Sequence, residues 1–142
     1  MTGLQPDRPL RIVIADDQTA VRDGLAIMLD LLPDITVVGA AANGVEALDL
    51  IEAHRPDVAL IDLHMPILDG IEAARQILSH HLVPIVMSTG MSDAMTVHRA
   101  IDLNLISYLV KPFSPAQLKV AVQLAVAQCR MVGCQDAIST AA

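Results

Sequence analysis

The sequence predicts an α/β fold: a (βα)5 chain wound into a doubly wound, five-stranded parallel sheet with helices on both faces. Two observations carry this. Short apolar runs of strand length alternate five times with longer segments of helical periodicity, the pattern of successive βαβ units. The runs are apolar throughout and not alternately apolar and polar, as expected of strands covered on both sides, and right-handed crossovers put the helices there.

"LRIVIA" (10–15) is the first strand. Residues 19–32 then place Val21, Leu25, Met28, Leu29 and Leu32 at helical spacing. Pro33-Asp34 stops that helix, and "ITVVGAA" (35–41) is the second strand. Asn43 with Glu46 three residues on is a capping-box pattern; it opens a helix over 43–55 whose Val45, Leu48 and Ile51 are expected to face inward, opposite Glu46, Asp49 and Glu52. "DVALI" (57–61) is the third strand. Asp69 with Glu72 caps a third helix carrying Ile71, Ala74, Ile77 and Leu78. "PIVMS" (84–88), a fourth helix over 92–103 and the strand "ISYLV" (106–110) follow. Ser114-Pro115-Ala116-Gln117 puts proline at the first position of a last helix, which runs to about residue 131. The expected organisation is an N-terminal tail (1–9), one domain (10–131) and a disordered small-residue tail (132–142).

At 142 residues, 54% of them hydrophobic, the chain can bury a substantial core. It has one Tyr, one Phe and no Trp, so that core must be aliphatic, with methionine as filler. A net charge of −7 argues against a nucleic-acid surface, which needs clustered Lys and Arg. No apolar run approaches the roughly 18 residues of a membrane span, and "MTGLQPDRPL" lacks the apolar core of a secretory signal. The expectation is a cytoplasmic chain without direct nucleic-acid or membrane binding. Two cysteines imply no disulfide framework: Cys129 is expected to pack on the sheet and Cys134 to be an exposed thiol. The five histidines show no metal-ligand spacing.

In an open α/β sheet, ligands bind beyond the carboxyl ends of the strands. Asp16 and Asp17 follow the first strand, Asp62 the third, Thr89 the fourth and Lys111-Pro112 the fifth. Singly, such acids are more often helix or turn caps; it is their convergence that carries chemistry. Three clustered carboxylates repel one another unless a cation joins them. All-oxygen ligands suit a hard ion such as Mg²⁺, normally held by one or two carboxylates with water and phosphate oxygens. A lysine and a threonine opposite would suit the remaining phosphoryl oxygens. The implied chemistry is phosphoryl transfer, with Asp62 as nucleophile giving an aspartyl phosphate.

The segments "ADD" (15–17), "DLHMPILDG" (62–70), "STG" (88–90) and "YLVKPF" (108–113), in this order and at these strand ends, resemble the receiver domain of two-component response regulators. The resemblance spans residues 10–130 and implies a CheY-like, flavodoxin-like fold with strand order 2-1-3-4-5. It implies that Asp62 accepts phosphate from a histidine kinase or phosphotransfer protein. Mg²⁺ would be held directly by Asp17 and Asp62, through water by Asp16, and by the backbone carbonyl of His64. Lys111 would pair with Asp62 and then with the phosphate. Thr89 and Tyr108 would be the switch pair, Gly90 would leave room for the phosphoryl group, and the Lys111-Pro112 bond would be cis. Where such domains commonly have Gly-Ala, this chain has Asn104-Leu105; Asn tolerates left-handed backbone, whereas Leu105 is bulkier than alanine.

On the last helix, Leu118, Val122, Ala125, Val126 and Cys129 are expected to face the sheet. That leaves Val120, Leu124, Ala127 and Met131 as an outward apolar stripe, a candidate partner surface. The face made by the fourth helix, fifth strand and last helix would mediate homodimerisation or output. The leading reading is therefore a phosphorylation-switched signalling domain that is not an enzyme beyond its own phosphotransfer and dephosphorylation. It is either a stand-alone regulator or a receiver separated from a longer transcription regulator or antiterminator. The rivals are a flavodoxin-like mononucleotide-binding protein, with "STGMSD" (88–93) as its phosphate loop, and a pseudo-receiver that only docks partners.

Overall fold

A computed structural model describes residues 8–80, 83–90 and 106–131. The five runs form strands β1 (Leu10–Ala15), β2 (Ile35–Ala41), β3 (Val58–Asp62), β4 (Ile85–Thr89) and β5 (Ile106–Val110). All pairings are parallel, and the order is 2-1-3-4-5. The helices are α1 (Thr19–Asp30), α2 (Gly44–His54), α3 (Gly70–His80) and the C-terminal helix (Pro115–Met131). The expected helix over 92–103 lies outside the described residues, as do Met91, Asn104, Leu105, Cys134 and both extreme tails.

Strand periodicity divides the apolar side chains between two cores. Val13, Ala15, Ala59, Ile61, Ile85 and Met87 point to one side and meet Ala47 and Ile51 of α2 and Ala74 and Ile77 of α3. Ile12, Ile14, Val58, Leu60 and Val86 point to the other and meet Leu25 and Leu29 of α1 and Leu118, Val122 and Val126 of the C-terminal helix. Strands β3 and β4, apolar until their carboxyl ends, are buried along their whole length. The edge strand β5 is only half-buried. Burying each large aliphatic side chain contributes about 1.5–3 kcal/mol.

The caps form as the sequence predicts, with one difference. Asn43 Oδ1 accepts from Glu46 N at 2.9 Å, but Glu46 Oε1 accepts from Ala42 N, one residue before the cap. Asp69 Oδ1 accepts from Glu72 N at 2.8 Å, and Ser114 Oγ from Gln117 N at 3.1 Å.

Two expectations need correction. The buried face of α2 is Gly44, Ala47 and Ile51, and Val45 is exposed. The reason is a close approach: a Cβ on Gly44 would run into the Leu68 carbonyl, so α2 lies against the β3–α3 loop along its smallest residues. Cys129 is buried on the sheet side as expected, yet it is disulfide-bonded and not a free thiol.

Candidate functional site

On the face covered by α1 and the C-terminal helix, Ile14, Leu60 and Val86 stand in register across β1, β3 and β4. One pleat further toward the carboxyl ends that apolar row gives way to a polar one. Asp62 pairs in register with Ser88, and Asp16 follows β1, its N–H still bonded to the Ala41 carbonyl at 3.0 Å. Asp16, Asp62 and Ser88 are all buried, and Asp62 is only 7% exposed. Asp17 is exposed at the mouth. One carboxylate oxygen from each of Asp16, Asp17 and Asp62 lies within 4.8 Å of the others.

Lys111 closes this cluster from β5. Its N–H bonds to the Thr89 carbonyl at 2.8 Å, and the Lys111-Pro112 peptide is cis, as the resemblance implies. Its Nζ lies 2.6 Å from Asp62 Oδ1 and 3.4 Å from Asp16 Oδ2. The acidic turn is held from below: Gln18 N donates to Asp16 Oδ1 at 3.0 Å, and Arg22 Nη1 donates to the Asp16 carbonyl at 2.8 Å.

The loop after Asp62 is pinned at both ends. Leu63 N donates to the Ser88 carbonyl at 3.0 Å, and Gly70 N donates to the Leu63 carbonyl at 2.9 Å. A Cβ on Gly70 would run into the Asp62 carbonyl oxygen and come within 2.9 Å of Leu63 Cα. Glycine is therefore required where α3 starts against the acceptor backbone. At the loop's tip, Leu68 N bonds back to the Pro66 carbonyl at 2.7 Å, around Ile67 at φ 70°. This is a γ-turn of the rarer, strained hand, with a β-branched residue 80% exposed at its centre.

Burial pushes the Asp62 carboxyl up; the hydrogen bond and charge of Lys111 oppose it, Asp16 and Asp17 add to it, and the net direction is upward. Burial alone would lower Lys111, but the hydrogen bond and charge of Asp62, together with Asp16, outweigh it and the ammonium is held above its ordinary value. Three carboxylates against one ammonium leave the site with two formal negative charges. An all-oxygen donor set with that residual charge fits a divalent hard cation.

The structure thus brings together Asp16, Asp17, Asp62 and Lys111. Thr89, at the end of β4, is buried, and its hydroxyl donates to the Gly90 carbonyl at 3.2 Å and not to Asp62. Tyr108 is 40% exposed and lines a cleft of about 540 Å³ between β5 and the C-terminal helix, with Val120, Leu124 and Gln128. His64 is exposed beside the site. Val120, Leu124 and Ala127 form an exposed row on the C-terminal helix; the Met131 side chain lies outside the described residues. The sequence reading missed Ser88, whose Oγ donates to Asp62 Oδ1 at 3.4 Å. The signal was available: two residues after Val86, Ser88 is the polar break in an apolar strand face. It also missed Arg22 as the support of the acidic turn.

Among the described residues, no helix is long and apolar enough to cross a membrane. The family model of the response regulator receiver domain matches residues 12–123. The transcriptional regulatory protein PdtaR of Mycobacterium tuberculosis is 42% identical over 136 residues, covering 93% of this chain and 66% of that protein. A protein-glutamate methylesterase/protein-glutamine glutaminase of Nitrosospira multiformis is 38% identical over 106 residues, 72% of this chain and 30% of its own length. The chain thus spans less than two thirds of either relative. The response regulator domain of Thermotoga maritima CheB superposes with a TM-score of 0.73 at 27% identity, covering 84% of this chain and 97% of that one. A signal receiver domain of a modulated diguanylate cyclase from Desulfovibrio desulfuricans gives 0.77 at 30% identity, covering 87% and 98%. With the family matched over most of its length and the same sheet order beneath its strand-end acids, the chain belongs to the response regulator receiver domains of two-component signalling.

Proposed function

We propose that Asp62 accepts a phosphoryl group, in a Mg²⁺-dependent reaction, from the phosphohistidine of a histidine kinase or phosphotransfer protein. The observation that carries this is the clustering of the Asp16, Asp17 and Asp62 carboxylates within 4.8 Å, with the Lys111 ammonium 2.6 Å from Asp62. An Asp62 oxygen attacks phosphorus in line. The N–P bond of the donor breaks with its electron pair going to the imidazole, which leaves neutral when its other nitrogen carries a proton. Asp17 and Asp62 would hold the Mg²⁺ directly, Asp16 through water, and the His64 backbone carbonyl would complete the protein's share. When bound, that ion neutralises carboxylate and phosphoryl charge.

The chain's own groups do the rest. Lys111, already in the site, turns from Asp62 to a phosphoryl oxygen and keeps the charge compensated. Thr89 exchanges its bond to the Gly90 carbonyl for one to the phosphoryl group, and Gly90 leaves the approach open. Tyr108 then moves inward from its half-exposed position, remodelling the cleft it lines. Residues 10–131 act as one cytoplasmic unit between tails 1–9 and 132–142. The chain catalyses nothing beyond its own phosphotransfer and dephosphorylation. The partner switched by this change is a second copy of the chain, docking on Val120, Leu124, Ala127 and Met131.

A second reading, a receiver that is part of a longer transcription regulator, draws on one observation: PdtaR matches 93% of this chain but extends well beyond it. The mononucleotide-binding rival lacks a phosphate loop after β1, where Asp16 and Asp17 stand instead.

Incubation with acetyl phosphate and Mg²⁺ tests the proposal. The wild type is expected to gain an acid-stable, base-labile phosphate and Asp62→Asn none. A wild type that stays unlabelled, or an Asp62→Asn variant labelled equally, contradicts it.

A further inference from the structure

Ser88 stands at a position where packing alone calls for an apolar residue. It is 2% exposed, it follows Val86 on the same side of β4, and that side is otherwise the core beneath α1 and the C-terminal helix. A hydroxyl taken out of water there is costly without a partner. Its acceptor is no backbone carbonyl but Asp62 Oδ1 at 3.4 Å, the same oxygen that Lys111 Nζ holds at 2.6 Å. Among the described residues Asp62 Oδ2 accepts no hydrogen bond.

The two donors differ in kind. Lys111 reaches Asp62 on a long flexible stem from beyond the end of β5. Ser88 has a single-carbon side chain on a buried strand paired in register with β3. The terminal torsion of an aspartate is broad and roughly two-fold, so one contact through a mobile lysine does not fix the carboxylate plane. A second contact from a rigid strand does. Reactive geometry of this kind weighs heavily on rate, and catalytic hydrogen bonds that are long in the resting state tighten when the reacting complex forms.

From this we infer that Ser88 is a positioning residue for the acceptor: its hydroxyl holds Asp62 Oδ1 and so presents Oδ2 to the incoming group. It keeps that hold when Lys111 turns to the phosphoryl oxygens. The inference rests on the reading of Asp62 as phosphoacceptor.

The test compares wild type, Ser88→Ala, Ser88→Thr and Asp62→Asn with phosphoramidate and Mg²⁺, following the rate of phosphoprotein formation against donor concentration. Ser88→Ala removes one oxygen and leaves Lys111 in place, so the fold is expected to hold, with an unchanged melting temperature. Its maximal rate is expected to fall about three- to ten-fold while the half-saturating donor concentration stays within about two-fold. Ser88→Thr, which keeps the hydroxyl, is expected to recover the rate. Wild-type kinetics in Ser88→Ala overturn the inference, as does a folded Ser88→Thr as slow as Ser88→Ala. If the extra methyl unfolds Ser88→Thr, the side-chain carboxyl ¹³C resonance of Asp62 in labelled Ser88→Ala decides: a shift supports the positioning role, and an unchanged resonance overturns it. A wild type that takes no phosphate while folded fails one step earlier, at the acceptor, and overturns both readings.

Discussion

Asp62 is held where its own charge is unwelcome. Burial and the neighbouring Asp16 and Asp17 raise its pKa, with Lys111 only partly offsetting them. A carboxyl whose folded pKa is raised adds most stability below its unfolded pKa, and loses that contribution as pH rises through the folded value. Without Mg²⁺, Asp62→Asn is therefore expected to melt higher than wild type at pH 7. The gap should close as the pH falls below the ordinary carboxylate range. Thermal denaturation across that range checks it, and a gap that widens toward acid would contradict the assigned direction. Lys111 behaves oppositely to a liability: its raised pKa keeps its contribution intact through neutral pH and loses it only above the usual lysine range. At this scale the acids and Lys111 were legible in the sequence because each stands directly after an apolar strand. Ser88 was not, because a single hydroxyl inside a strand gains meaning only once register sets it beside Asp62.

Elements hold the site through backbone contacts that side-chain patterns do not report. Gly70 and Gly24 make the point by contrast. A Cβ at Gly70 would strike the acceptor's own backbone, whereas at Gly24, in α1, it would meet nothing within 4 Å. Gly70→Ala is expected to cost about 1–3 kcal/mol, as overpacking does, and to slow phosphorylation by displacing Asp62. Gly24→Ala is expected to stabilise by about 0.5–1 kcal/mol, the helix-interior preference of alanine over glycine. Urea denaturation of both variants tests the pair, and equal effects of one sign would contradict the contacts described. The helix starts at Asn43, Asp69 and Ser114 could be read from the chain because a cap is a local interaction between residues three apart. The inward face of α2 could not. Its periodicity admits Val45 as readily as Ala47, and only the crossing of the Leu68 backbone over Gly44 decides between them.

Across the molecule, a sheet covered on both faces leaves function to its carboxyl edge and to the outer sides of its helices. The division of helices between two faces followed from apolar strands separated by crossover helices, while the order 2-1-3-4-5 was implied by the family resemblance alone. What lies on the outside is less constrained by folding. Leu124, 63% exposed, gains nothing from the core, and its row with Val120 borders the cleft that holds Tyr108. If that face joins two copies once the site is phosphorylated, Leu124→Asp is expected to keep phosphorylation and lose dimerisation by at least ten-fold in dissociation constant. Sedimentation with and without Mg²⁺ and phosphoramidate reads this directly, and monomers throughout would contradict it. The central claim rests on a single carboxylate, and borohydride trapping tests it most directly. Reduction of an aspartyl phosphate leaves homoserine, which peptide mass mapping locates. Phosphoramidate with Mg²⁺ is expected to give homoserine at position 62 alone, and none when the metal is chelated. Homoserine at Asp69 or Asp57, or none at all in folded protein, would contradict the account.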